Sequence, residues 1–128
     1  MKTNQLSYDD FKEFLESIGG LKNGFFTDRE PIADPYYFEI NSGWNRLVKD
    51  LISDLIELGW DKEICQVKEK FGTLRFYING GSDEIHNRIH QAELDSSHIC
   101  ERCGSPGELI KNGGWLSTLC AEHNKPNI

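Results

Sequence analysis

An α+β fold is predicted by three features of the 128-residue chain. Gly43 to Leu58 repeats apolar residues at threes and fours, and two alternating segments at about 63–69 and 73–79 flank Phe71-Gly72. After residue 98, two close-spaced Cys/His pairs set off a small subdomain of the zinc-ribbon or knuckle kind. Together these give helices packed on a small antiparallel hairpin, with a core over 1–97 and a metal-binding tail over 98–128.

The first helix is expected over about 8–18. Phe11, Leu15 and Ile18 share one face, Ser7 offers an N-cap, and Gly19-Gly20 offers a stop. Residues 19–41 combine glycines, two prolines and five aromatics. They read as an irregular loop whose aromatics mostly fold over the core edge, ending in a short strand at about 36–40. The other reading of this loop is an exposed binding surface, with Phe25 and Phe26 as anchors and Asp28, Glu30 and Asp34 as its charged groups.

The central helix, 43–58, places Trp44, Leu47, Leu51 and Leu55 inward behind Asn41-Ser42 as cap and ahead of Gly59. Leu74, Phe76 and Ile78 of the hairpin are expected to pack on that face. Lys68, Lys70 and Arg75 alternate with core positions, so they share the outer face. Pairing with Glu63 and Glu69 is the preferred reading of these three, and contact with phosphate or an acidic partner the alternative. A third helix, about 83–95, starts at Ser82-Asp83 and buries Ile85, Ile89 and Ala92. Its His86 and His90 are read as solvated, and Cys65 as a buried thiol.

Cys100, Cys103, Cys120 and His123 form C-x2-C-x16-C-x2-H. Two short pairs separated by a loop let four ligands converge tetrahedrally, the arrangement zinc prefers, so one structural Zn²⁺ is expected. Gly104 fits the turn after Cys103, and Trp115, Leu116 and Leu119 are expected to shield the ion. Four protein ligands leave no open position, and phosphate-loop, nucleophile-elbow and zinc-deaminase motifs are missing. The tail TLCAEHN has a faint likeness to HNH nucleases, but residues 104–119 hold no histidine to act as base. No catalytic residue is assigned.

The chain has 14 basic and 21 acidic side chains, net −7, with 11 of the acids in the first sixty residues. That balance speaks against a phosphate-neutralising duplex binder and favours a basic protein partner. No oligonucleotide is expected to bind more tightly than about 1 μM at physiological salt. No apolar run spans a bilayer, and MKTNQLSYDDFKEF has acids where an export signal is apolar. Cytoplasmic placement with reduced thiols is therefore expected.

At VKEKFGTLRFYING and SSHICERCGSPGELIKNGGWLSTLCAEH the sequence resembles a family of small phage, prophage and bacterial proteins. They join a K-E-K-[FY]-G-x-L-R-[FY] hairpin to a C-x-x-C-G-x-P-G…G-W-x-x-T-L-C-x-x-H tail. The likeness covers roughly residues 42–123. It maps onto Lys68, Glu69, Lys70, Phe71, Gly72, Leu74, Arg75 and Phe76, then onto the three tail cysteines and His123. It implies a phage or bacterial origin and a zinc-binding C-terminus, with no reaction attached. The expected function is a non-enzymatic module that binds and inhibits a host protein in the host cytoplasm. A nucleic-acid-associated zinc-ribbon regulator and an immunity protein against a toxin are the alternatives.

Overall fold

The computed structural model describes residues 5–26 and 28–124; Met1–Asn4, Thr27 of the predicted loop and residues 125–128 of the predicted tail lie outside it. The fold is α+β, as the sequence predicts. Helix α1 (Tyr8–Ser17) starts where the Ser7 hydroxyl accepts the Asp10 amide at 3.1 Å. It ends at Gly19, where φ is 80° and the amides of Gly19 and Gly20 return to the carbonyls of Glu16 and Leu15. Helix α2 (Asn45–Glu57) closes in the same way at Gly59, with the Trp60 amide reaching Leu55. Left-handed closures of this kind satisfy the last carbonyls and favour glycine.

Two expectations in the first half of the chain are corrected. The start of α2 is a 3₁₀ turn, Ser42–Trp44, and the Asn41 amide is turned to Glu101 at 3.3 Å instead of capping the helix. Residues 36–40 do not form a strand. Asp34 accepts the Tyr36 amide, Pro35 presets the first residue, and Pro35–Tyr37 turns into a 3₁₀ helix. Only Glu39 reaches the sheet, by an isolated bridge to Lys68.

The sheet runs in the order β1 (Lys22–Asn23), β2 (Glu63–Lys70), β3 (Thr73–Ile78), with β1 parallel and β3 antiparallel to β2. Val67 opposite Phe76 faces inward; Lys68 opposite Arg75 and Lys70 opposite Thr73 face outward. Phe71 and Gly72, at φ 54° and 81°, form the tight turn. Phe11, Leu15, Trp44, Leu51, Leu55, Val67, Leu74, Phe76, Ile85 and Ile89 belong to one core. Leu74 and Phe76 share this core with Trp44 and with Leu47, Leu51 and Leu55 of α2, as expected, and α3 (Asp83–Ser96) lies against β3 as well. The reason is hydrogen bonding: Ser96 and Glu93 accept the Leu74 and Phe76 amides at 2.9 and 3.0 Å on the outer edge of β3. A second hairpin, β4 (Glu108–Asn112) and β5 (Trp115–Leu119), carries the tail. No helix among the described residues is long and apolar enough to cross a membrane.

Candidate metal centre

The four tail ligands come together. One donor atom from each of Cys100, Cys103, Cys120 and His123 lies within 4.8 Å of all the others, a set that could hold one metal ion. Cys103 Sγ and Cys120 Sγ are 3.7 Å apart, and His123 Nδ1 is 3.5 Å from Cys100 Sγ and 3.3 Å from Cys120 Sγ. All three thiols are free of disulfides. Cys100 and Cys120 are buried, while Cys103 and His123 are half-buried.

Local backbone explains the convergence. The Gly104 amide returns to the Cys100 carbonyl at 2.9 Å with φ 81°, closing the turn that swings Cys103 beside Cys100. The His123 amide returns to the Cys120 carbonyl at 3.1 Å and makes the matching turn. The hairpin β4–β5, Glu108 to Leu119, fills most of the sixteen residues between Cys103 and Cys120. Burial works against ionisation of Cys103, but hydrogen bonds from the Ser105 hydroxyl and amide together with those from the Cys120 and Cys100 thiols outweigh it and lower the thiol to about 6. Burial pushes the Cys100 thiol up despite backbone hydrogen bonds.

The centre is fixed to the core by groups the sequence did not single out. Glu101, 9% exposed, exchanges backbone bonds with Gly43 and Thr118, while its carboxylate accepts from Asn41 and the Thr118 amide. Burial raises its carboxyl pKa, against the pull of those donors. The Trp44 indole donates to the Ile99 carbonyl at 2.8 Å, and a Cβ on Gly43 would collide with the Cys100 and Glu101 carbonyls. No local pattern announces such contacts, which come from three distant segments. The second hairpin did have a signal: Asn112-Gly113-Gly114 between two apolar stretches. Trp115 does not shield the ligands. It stands at the hairpin tip, 71% exposed, because the Gly113-Gly114 turn carries it away from them.

The other candidate residues fall on two surfaces. Phe25, Phe26, Asp28, Glu30 and Asp34 are exposed, whereas Phe38 and half-buried Tyr37 pack on the core. The loop aromatics thus divide between the two roles. Asn23 organises the exposed part, its side-chain oxygen accepting the amides of Phe25 and Phe26. Asp34 has structural partners as well, accepting from the Tyr8 hydroxyl at 2.6 Å. Lys68, Lys70 and Arg75 share the outer sheet face, but the expected pairing with Glu63 and Glu69 is not formed. Glu63 accepts from Asn79, and Glu69 accepts the Gly72 amide at 2.7 Å, because the turn needs an acceptor there. His86 and His90 are exposed and join no metal-binding group among the described residues; Cys65 is a buried thiol, 8% exposed.

No family model, curated protein or solved structure matches the chain.

Proposed function

We propose that the chain is a non-enzymatic, zinc-stapled interaction module, encoded by a phage or prophage, that binds and inhibits a host protein in the cytoplasm. The observation that carries this reading is the aromatic loop. Phe25, Phe26 and Tyr36 are 67%, 50% and 82% exposed, the exposed Asp28 and Glu30 belong to the same loop, and the Arg29 guanidinium lies 4.4 Å from the Phe26 ring. Large rings held in water in this way lose contact with solvent when a partner covers them, and such residues dominate binding energy. The carboxylates of the loop select a basic surface and steer its approach.

Zinc is the ion that best suits the donor set. With Zn–S near 2.3 Å and Zn–N near 2.0–2.1 Å, a tetrahedron has S···S edges of about 3.8 Å and S···N edges of about 3.5 Å. The observed 3.7, 3.5 and 3.3 Å lie close to those edges. Four protein donors complete the coordination, which supports a structural ion. Loading three thiolates with Zn²⁺ takes the formal charge from −7 to −8, so the metal leaves the chain's acidity intact.

The test is a quantitative binding assay between full-length protein and each host protein recovered with it, repeated after Phe25→Ser/Phe26→Ser and after Asp28→Asn/Glu30→Gln. A true partner has a basic contact surface and loses at least about tenfold in affinity with the aromatic pair, as expected for anchor residues. Partners indifferent to both double substitutions would refute the reading.

A further inference from the structure

The outer face of the β2–β3 hairpin combines unpaired cations with exposed rings. Lys68 stands directly across from Arg75, and Lys70 is two residues further along β2. None of the three is in an ion pair with another described residue. Like charges opposed across a ladder repel, so this arrangement costs stability. Glu39, bridged to Lys68, turns its carboxylate to Gln66 at 3.1 Å. Tyr77 extends the face, 40% exposed.

At the end of this face Phe71 holds φ 54° while 63% exposed. A side chain in the left-handed region costs roughly 1–2 kcal/mol, and an exposed ring recovers little of that by burial. Asparagine would meet the same turn without that strain. The Lys70 ammonium lies 5.5 Å from the ring. Phe71 and Trp115, with Glu69, Gly114 and Leu116, line a cleft of about 260 Å³ between the two hairpin tips.

These groups define their ligand. The cleft opens on the Glu69 side of the hairpin, opposite the three cations, and the two sides meet at the tip, where the Lys70 ammonium stands beside the Phe71 ring. The Glu69 carboxylate on its wall, which also accepts the Gly72 amide, favours N–H groups and repels phosphate. The cations outside it call for negative charge. A cationic side chain would suit the rings and Glu69 but not the three positive neighbours, and a duplex keeps its base faces covered. Single-stranded nucleic acid offers stacking faces, amino groups and phosphates in that order. We propose that the hairpin tip binds short single-stranded nucleic acid, one base entering the Phe71–Trp115 cleft and the strand crossing the tip, so that the phosphates on one side of that base meet Lys70 and then Lys68 and Arg75 on the opposite face. The site is distinct from the aromatic loop and stands or falls independently of it. With only three cations on a chain of net −7, affinity is micromolar or weaker and strongly salt-dependent.

Tryptophan emission tests this directly, because Trp44 and Trp60 are buried, at 0% and 6%, and Trp115 alone is exposed. Zinc-loaded, full-length protein is titrated with unlabelled ten-nucleotide single strands. Saturable quenching is expected at 50 mM salt, weakening about 20-fold by 200 mM if three phosphate contacts are made. Lys68→Gln/Lys70→Gln/Arg75→Gln should flatten the salt dependence, and Phe71→Asn should weaken binding about tenfold. Both variants change solvent-facing side chains, and metal content and near-ultraviolet circular dichroism report whether each is folded. Absence of binding at 50 mM salt would overturn the proposal. So would equal affinity for a duplex or a polyglutamate peptide, or unchanged binding by folded Phe71→Asn.

Discussion

The Thr118 hydroxyl donates to the Gly72 carbonyl at 2.7 Å, with both residues buried. One belongs to the strand leading to Cys120, the other to the turn of the sheet hairpin. Leu109 and the Leu116–Ser117 backbone pack so closely on Gly72 that a Cβ would not fit. The β4–β5 hairpin is thereby docked on the core through the β2–β3 turn, and the aromatic cleft lies along this junction.

Thr118→Val keeps the shape and removes the donor, leaving a buried carbonyl without its partner. A loss of about 1–3 kcal/mol in urea unfolding is expected. Metal stoichiometry should stay unchanged, since no ligand is altered.

One zinc per chain is expected by elemental analysis of reductant-purified protein. Chelation should raise amide exchange first in residues after about 97, where the ion supplies much of the ordering free energy. Gly43→Ala should also weaken metal retention, although it is far from the ligands in sequence, because its Cβ would push on the carbonyls of Cys100 and Glu101. Metal release by EDTA from the variant and the parent measures this.

Phe71→Asn should stabilise the fold by about 1 kcal/mol by relieving the left-handed strain. Chemical denaturation gives the value. Phe71→Gly should act in the same direction, since both residues accept positive φ, whereas Phe71→Val should destabilise.

The Tyr8–Asp34 pair makes a pH prediction. The hydrogen bond to Asp34 raises the Tyr8 hydroxyl to about 12, and the same bond, aided by the Tyr36 amide, lowers Asp34. The raised tyrosine contributes stability below about 10 that is lost as pH climbs through 12. The lowered aspartate contributes stability above its ordinary range that is lost as pH falls through its folded value. Tyr8→Phe should move the Asp34 carboxyl back up, seen in its carbon chemical shift on acid titration. The shift should be partial, because the Tyr36 amide remains.

Strong local rules made much of this structure legible in the sequence. Ser7, Gly19, Gly59 and Ser82 mark helix ends in the structure because capping is a short-range interaction. The Cys100/Cys103 and Cys120/His123 spacings pointed to a set of residues that come together and could hold a metal ion, because metal geometry constrains spacing. The segment at 36–40 misled because Tyr36, Tyr37 and Phe38 favour strands, while Asp34 and Pro35 impose a turn that residue preferences do not register. Lys68, Lys70 and Arg75 were placed on the correct face, but their freedom from ion pairs depends on where Glu63 and Glu69 find donors. Glu101 was invisible for a related reason: a charged residue between two ligands reads as solvated until Asn41, Gly43 and Thr118 converge on it.

The bonds from Ser96 and Glu93 to β3 bear on how the protein fails. Thr73–Ile78, TLRFYI, is an apolar, β-prone strand at the margin of its sheet, the kind of template on which a second chain can add and begin a fibril. With the Leu74 and Phe76 amides already taken, an incoming strand finds no free donor at either position. Helix α3 therefore guards the edge, and aggregation should track its local opening more than global unfolding.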